Sequence, residues 1–328
     1  MTSAAHARPA GRMSSADRLA ATVVICAYTL NRWAVTKAAV ASVLAQRPAP
    51  AQVLLVIDHN PELAALARAE LSGITVLEST GDLGLSGARN TGLEAATEPI
   101  TAFLDDDAEA QPGWLAALVE PYQDAEVAAT GGGVWPRWAH SRPDWLPPEF
   151  DWVVGCSYVG LPTATGAVRN PIGANMSFRT TPALAAGGFN GSVGRVGTRP
   201  RGCEETELAI RVSAQARASV MYVPAAAVDH HVGPERTRFG YFVRRCWHEG
   251  QSKAAVVGLV GASSGLSRER RQTAVVIPAA IRRDLGSLIR GRASGGARVA
   301  ASAAGLAAAV AGYAAGRLSR RAVEPVKP

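Results

Sequence analysis

Three consecutive carboxylates, Asp105, Asp106 and Asp107, follow directly on the apolar run ITAFL at 100–104. Like charges gathered at the end of a strand are costly unless something positive sits among them. A divalent cation is the simplest answer, since magnesium and manganese prefer oxygen ligands and commonly take one or two carboxylates plus substrate phosphates. The other reading is a solvated turn, because aspartate caps helices well and Pro112 opens a helix nearby. Three further stretches carry chemistry. GLSGARN at 84–90 is a Gly-rich turn before a helix, where backbone N–H groups face an anion and Arg89 adds charge. CEETEL at 203–208 puts Glu204, Glu205 and Glu207 in the first turn of a helix. Acids there suit the helix dipole, and a carboxylate beside another acid is also where a general base is expected. The stretch 227–253 joins His230 and His231 to Arg236, Arg238, Arg244, Arg245 and Lys253, a set suited to binding phosphate or to completing a metal shell.

The elements that position these residues follow from periodicity. ATVVIC (21–26), QVLLVID (52–58), ITVLES (74–79) and ITAFL (100–104) read as buried strands. Helical patterns fill 29–46, 61–71 and 81–96 between them. Alternating strands and helices give an α/β fold with a mostly parallel central sheet flanked by helices. Ligands bind such sheets beyond the carboxyl ends of the strands, which is where Asp58 and the three aspartates lie. Residues 135–171, rich in Pro, Trp and Gly, read as a long irregular segment. Helices are expected at 181–188 and 203–215, a strand at 220–224, and mainly helix from Gly240 to Gly316. GLSGARN is not the GxGxxG that binds a dinucleotide, since the first strand runs into CAYTLNR, and a nicotinamide dehydrogenase is thereby set aside.

The chain has 328 residues, 48% of them hydrophobic and 19% charged, enough for a sizeable core. The division expected is a leader without order at 1–20, a main domain at 21–260 and a basic, Ala-rich helical extension at 261–328. A net charge of +7 calls for an anionic partner: a phosphorylated small molecule, an acidic membrane face or a nucleic acid. Nucleic acid is excluded, because no binding motif is present and the carboxylate edge would repel a polyanion. Cys26, Cys156, Cys203 and Cys246 lack metal-ligand spacing and read as the reduced thiols of a cytoplasmic protein. Val299 to Gly316 is uncharged and dominated by Ala, with arginines on both sides. A helix packed on the protein, one lying on an anionic membrane surface and one crossing the bilayer all stay open.

The order of an Asp-terminated second strand, GLSGARN, LDDD, GANMSF, GGF and EETEL resembles a family 2 glycosyltransferase with the GT-A (nucleotide-diphospho-sugar transferase) fold, over about residues 21–255. The wording VVICAYT, IDHNP, FDWVVGC and EGQSKA resembles the subgroup labelled glucosyl-dolichyl-phosphate glucuronosyltransferase-like. The resemblance implies that Cys26, Ala27, Tyr28 and Asp58 hold the nucleoside, a uridine. Gly87, Arg89 and Asn90 would face the nucleotide's ribose or diphosphate, with Asp105 and Asp106 also against the donor. Asp105 and Asp107 match the D-x-D pair that binds Mg2+ or Mn2+, Asp107 foremost, and His230 matches a histidine near the metal or diphosphate. Asn175, Gly188 and Phe189 would line the sugar or acceptor pocket. The family's acidic pair is Glu-Asp with Asp as base; here it is Glu204-Glu205, so Glu205 takes the base position and Glu204 is the other candidate. Arg236, Arg238, Arg244 and Arg245 would assist the diphosphate.

The function so implied is inverting, metal-dependent transfer of a sugar from a nucleotide sugar, a UDP-sugar such as UDP-glucuronate. The acceptor would be a hydroxyl of a lipid-linked or other glycan at the inner face of the cell membrane. A soluble natural-product acceptor, a sugar-phosphate nucleotidyltransferase and a non-catalytic nucleotide-sugar-binding protein are the rival readings.

Overall fold

The computed structural model describes residues 19–194 and 202–321. The leader expected over 1–20 lies outside these residues except for Leu19 and Ala20. The first half is the alternation that periodicity predicts: β1 (Ala21–Ala27), α1 (Trp33–Leu44), β2 (Gln52–Ile57), α2 (Pro61–Glu70), β3 (Thr75–Glu78), α3 (Leu85–Glu94) and β4 (Ile100–Asp105). The local causes are visible. Asn60 caps α2 by accepting from the Leu63 N–H at 3.0 Å, and Pro61 supplies the preset φ of the first turn. Gly84 begins α3 at φ 125°, a conformation that side chains with a Cβ avoid. A Cβ on Gly87 would stand 2.0 Å from the Asp82 carbonyl oxygen, so only glycine lets the turn close.

The second half comprises β5 (Ala108–Ala110), α4 (Trp114–Val119), β6 (Val127–Trp138), β7 (Gly166–Val168), β8 (Asn175–Arg179), α5 (Thr180–Ala185), α6 (Glu204–Ala216) and β9 (Ser219–Val232). The sheet order is β3-β2-β1-β4-β8-β6-β9-β5, with β7 also on β9. Strands β3, β2, β1 and β4 are parallel; β8 runs antiparallel to both β4 and β6, so the sheet is mixed from β4 onward. Residues 135–171 are less irregular than expected. Their first four residues continue β6, Pro148–Val154 form a 3-10 helix, and β7 follows. β9 also outruns its expected end at 224. Pairing with β6 breaks after Val223 and resumes at Val228, so Pro224 and three alanines hide its continuation.

Side chains alternate across the sheet with period two. Val23, Ile25, Leu55 and Ile57 pack with Val40, Leu63 and Trp114 on the face covered by α1, α2 and α4. Val24, Leu54, Val56 and Phe103 pack on the other face with Leu93 of α3 and Leu208 of α6. A third apolar cluster, around Phe150, Phe242, Ile277 and Ala301, seats the C-terminal helices. These are α7 (Phe239–Val260), α8 (Ala262–Gly265), α9 (Ser267–Arg271), α10 (Ile277–Ile289) and α11 (Ala293–Arg321), with a π-helical turn at Gln272–Val276. The boundary expected at 260 falls at Gly261, the end of α7, yet α7 already packs along α11.

Candidate active site

The three aspartates leave the end of β4, and the antiparallel β5–β9 pair sets Ala108 opposite His230. That register brings His230 Nε2 to 3.1 Å from Asp107 Oδ1. Arg236, on the short 3-10 turn after β9, reaches Asp107 Oδ2 at 2.9 Å. Arg32, in the turn after β1, lies 3.2 Å from Asp107 and 3.0 Å from Asp106. Burial opposes ionisation of Asp107, but His230, Arg236 and Arg32 outweigh it and hold that carboxyl well below the usual range. Asp106 behaves oppositely: burial and the charge of Asp107 push it up to about 7 despite Arg32. Among the described residues its Oδ2 has no hydrogen-bond partner. Clustered charge is thus met by Arg32 from the turn after β1 and by Arg236 from the turn after β9, and Arg32 is one that sequence reasoning missed. Its only sequence signal was a cation directly after the first strand.

Arg89 ties the aspartates to the acidic helix. It donates to Asp105 at 3.0 Å, to Glu204 at 2.9 Å and to the Gly173 carbonyl at 2.9 Å. The ring of Phe189 supports it from 5.5 Å, held in turn edge-on by Phe103 and Phe178. Glu204 is therefore committed to a buried ion pair. Glu205, half-buried on the next position of α6, accepts from its neighbour Thr206 at 3.0 Å and faces a cavity of about 420 Å³. Arg89, Asp105, Glu204 and Glu205 share that cavity wall.

Asp105, Asp107 and His230 each offer one ligand atom, and the three atoms lie within 4.8 Å of one another. Two carboxylate oxygens suit Mg2+ or Mn2+ better than a soft metal, so the residues present fit the expected ion. His230 is oriented from behind, its Nδ1 standing 3.7 Å from the Cys156 sulfur.

Other expected residues sit elsewhere or are spent on structure. Cys26 lies beside Asp105 in the β1–β4 register, and burial pushes its thiol up to about 12. Ala27 is buried, and Tyr28 stands at the edge, half-exposed with the Arg32 guanidinium over its ring. Asp58 accepts from the Gly84 N–H at 3.0 Å and so holds the Gly-rich turn. Asn90 is not among the residues that line the cavity. Its side chain brackets the backbone of Phe189, donating to the carbonyl at 2.9 Å and accepting from the N–H at 2.7 Å. Gly188, at φ 65°, lies so close that a Cβ would meet Asn90, and Gly188 and Phe189 are thereby parts of this clip. Asn175 also departs from expectation. It is fully buried, accepting from Trp114 Nε1 at 2.8 Å and donating to the carbonyls of Gly133 and Ala226, which uses its whole side chain. Of the four arginines, Arg236 meets Asp107 and Arg245 lines the cavity. Arg238 and Arg244 are exposed, the latter over the Tyr241 ring.

Residues 22–183 match the model of the family described as glycosyl transferase family 2. The chain is 34% identical over 235 residues to a glucosyl-dolichyl phosphate glucuronosyltransferase of Haloferax volcanii, covering 70% of this chain and 75% of the relative. The chain belongs to glycosyl transferase family 2. It is a glycosyltransferase, and a second relative, the succinoglycan biosynthesis protein ExoM of Rhizobium meliloti, is 26% identical over 79% of this chain and 86% of its own. Two solved structures share the transferase's fold. A mannosyltransferase from Pyrobaculum calidifontis in complex with GDP-Man and Mn2+ aligns with a TM-score of 0.55 at 19% identity, over 95% of this chain and 82% of that one. GalNAc-T7 with UDP, GalNAc and Mn2+ aligns with a TM-score of 0.51 at 17% identity, over 77% and 54%. The fold is therefore GT-A, and the aspartates of this transferase occupy the strand end where the D-x-D pair was expected.

Proposed function

We propose that the protein transfers a sugar, a glucuronosyl group, from a UDP-sugar to a hydroxyl of a lipid-linked glycan acceptor, with inversion at the anomeric carbon. The observation that carries this reading is that Asp105 and Glu205 line one cavity, with Arg89 joined to both acidic motifs. The Haloferax volcanii relative, a glucosyl-dolichyl phosphate glucuronosyltransferase, supports a glucuronosyl donor and a dolichyl phosphate-linked acceptor, and the solved neighbours hold UDP or GDP-Man with Mn2+.

The roles divide by what each side chain has left to offer. Glu205 removes the proton of the acceptor hydroxyl, because among the described residues it is in no ion pair and accepts from the hydroxyl of Thr206, whereas Glu204 is held by Arg89. The deprotonated oxygen attacks the anomeric carbon, the bond to the diphosphate breaks on the opposite face, and UDP leaves. Asp105, Asp107 and His230 would hold Mg2+ or Mn2+, and such an ion would supply neutralisation of the phosphate charge. Arg236 and Arg32 stand beside Asp107 and meet the diphosphate; Asp58 and Tyr28 border the nucleoside at the ends of β2 and β1. The enzyme works at the cytoplasmic face of the membrane in this reading, which the long apolar helix α11 supports. General-base removal costs about 10²–10⁴ in rate. Glu205→Gln should therefore lose kcat by that factor while UDP-glucuronate binds within about twofold of the parent affinity. Unchanged turnover in this variant would move the base elsewhere.

A further inference from the structure

The cavity does more than join the acidic motifs. Helix α7 carries Arg245, Glu249 and Lys253 at i, i+4 and i+8, so one face of the helix turns all three inward. Arg245 pairs with Glu249 at 2.8 Å, and Lys253 lies 3.2 Å from Glu249 and 3.0 Å from Glu269. Arg169 closes the network on Glu269 with a 2.9 Å contact. Arg268 rests over the Tyr158 ring and on the Asn170 carbonyl at 3.5 Å, and is in no ion pair among the described residues. At this end of the cavity four cations thus face two carboxylates, a local excess of positive charge, whereas at the other end Arg89 faces Asp105, Glu204 and Glu205. Cys203, directly before the Glu204-Glu205 pair, touches Glu249 at 3.4 Å, so this cluster adjoins the acidic end of α6.

The opposite side of α7 packs on α11. There the cavity wall becomes apolar, with Leu306, Ala309, Val310 and Tyr313. Val310 is 61% exposed, so the cavity wall and the outer surface meet at this residue. More than half of the exposed large apolar side chains among the described residues lie between 259 and 318, Leu288, Ile289 and Leu318 among them. Arg282, Arg290, Arg292 and Arg317 stand exposed around them. Residues Ala293–Ser319 are long and apolar enough to cross a membrane, with a mean hydropathy of 1.5 and 22% burial over an 18-residue stretch of them. A cavity that runs from a general base, past surplus positive charge, to an apolar surface ringed by arginines has the order of parts of a sugar–phosphate–prenyl ester.

We propose that this end of the cavity is the acceptor's prenyl-phosphate subsite: Arg268, with Arg169, Arg245 and Lys253, takes the phosphate, and Leu306, Val310 and Tyr313 of α11 take the adjoining isoprene units. The assignment rests on the transferase reading above, and its test is independent of donor and turnover. Calorimetry on the full chain, without nucleotide or metal, compares farnesyl phosphate with farnesol and with inorganic phosphate. Farnesyl phosphate should bind at least tenfold more tightly than either half. Arg268→Gln and Val310→Asp should each weaken it at least tenfold, while binding of UDP with Mn2+, which also reports a folded enzyme, stays within twofold. Farnesyl phosphate binding no tighter than its halves would overturn the subsite, and unchanged binding in either variant would overturn the part that variant probes. Loss of UDP binding in the parent chain, with farnesyl phosphate still bound, would instead count against the transferase reading and leave the subsite standing.

Discussion

At Asn175 and Arg89, neighbouring motifs take different parts. Arg89 joins Asp105 to Glu204, whereas Asn175 joins Trp114 to two strand carbonyls and does not line the cavity described above. Asn175→Ala would leave buried donors and acceptors unmatched, each costing about 1–3 kcal/mol. The expected outcome is a loss of about 2–4 kcal/mol in denaturant unfolding, with KM for donor and acceptor unchanged in the protein that folds. A raised acceptor KM at full stability would restore Asn175 to the pocket. Residue types alone showed the aspartates, the acidic pair and His230, because charges at strand and helix ends are conspicuous in sequence. They could not show which members of a motif face the ligand. That depends on partners such as Phe189 and Gly133, which arrive from other elements.

At the scale of elements, α7 is the hinge between the acidic helix and the C-terminal layer. Burial opposes ionisation of Glu249 and Glu269, but Lys253, Arg245 and Arg169 outweigh it and hold both carboxylates at about 2. A carboxylate lowered in the folded state stabilises above its ordinary value of 4.5, and that stabilisation fades as pH falls toward 2. Each contributes on the order of 3 kcal/mol at neutral pH by this shift. Unfolding free energy measured from pH 7 to 2 should show the gap between the parent and Glu269→Gln closing between pH 4.5 and 2. A gap independent of pH would mean that the network is not what holds these helices. The other side of α7 meets α11 through glycine: a Cβ on Gly312 would stand 2.0 Å from the Trp247 carbonyl oxygen. Gly312→Leu should lower the thermal midpoint, at a cost of about 1–3 kcal/mol or more, by forcing α11 off α7. An unchanged midpoint would contradict the close packing. Periodicity revealed the helices here but not their seating, since a run of Ala and Gly reads equally as a membrane helix and as a closely packed one.

Over the whole molecule, the parallel half was legible because each strand is a continuous apolar run bounded by a helix of clear period. The mixed half was not. β9 is interrupted at Pro224, β5 and β7 are three residues each, and β6 carries three glycines at 131–133. Yet that half supplies His230, Arg236 and the cavity, so the sequence showed the strand ends of the site better than its far wall. The union of the two halves at Asp105, Asp107 and His230 is the centre of the functional reading. Calorimetry of UDP-glucuronate with and without Mn2+, on the parent chain and on Asp107→Ala, tests it most directly. The expected result is binding by the parent only with Mn2+, weakened at least tenfold in the variant. Equal binding without the metal, equal binding by Asp107→Ala, or no binding of the nucleotide sugar by the folded parent would contradict it.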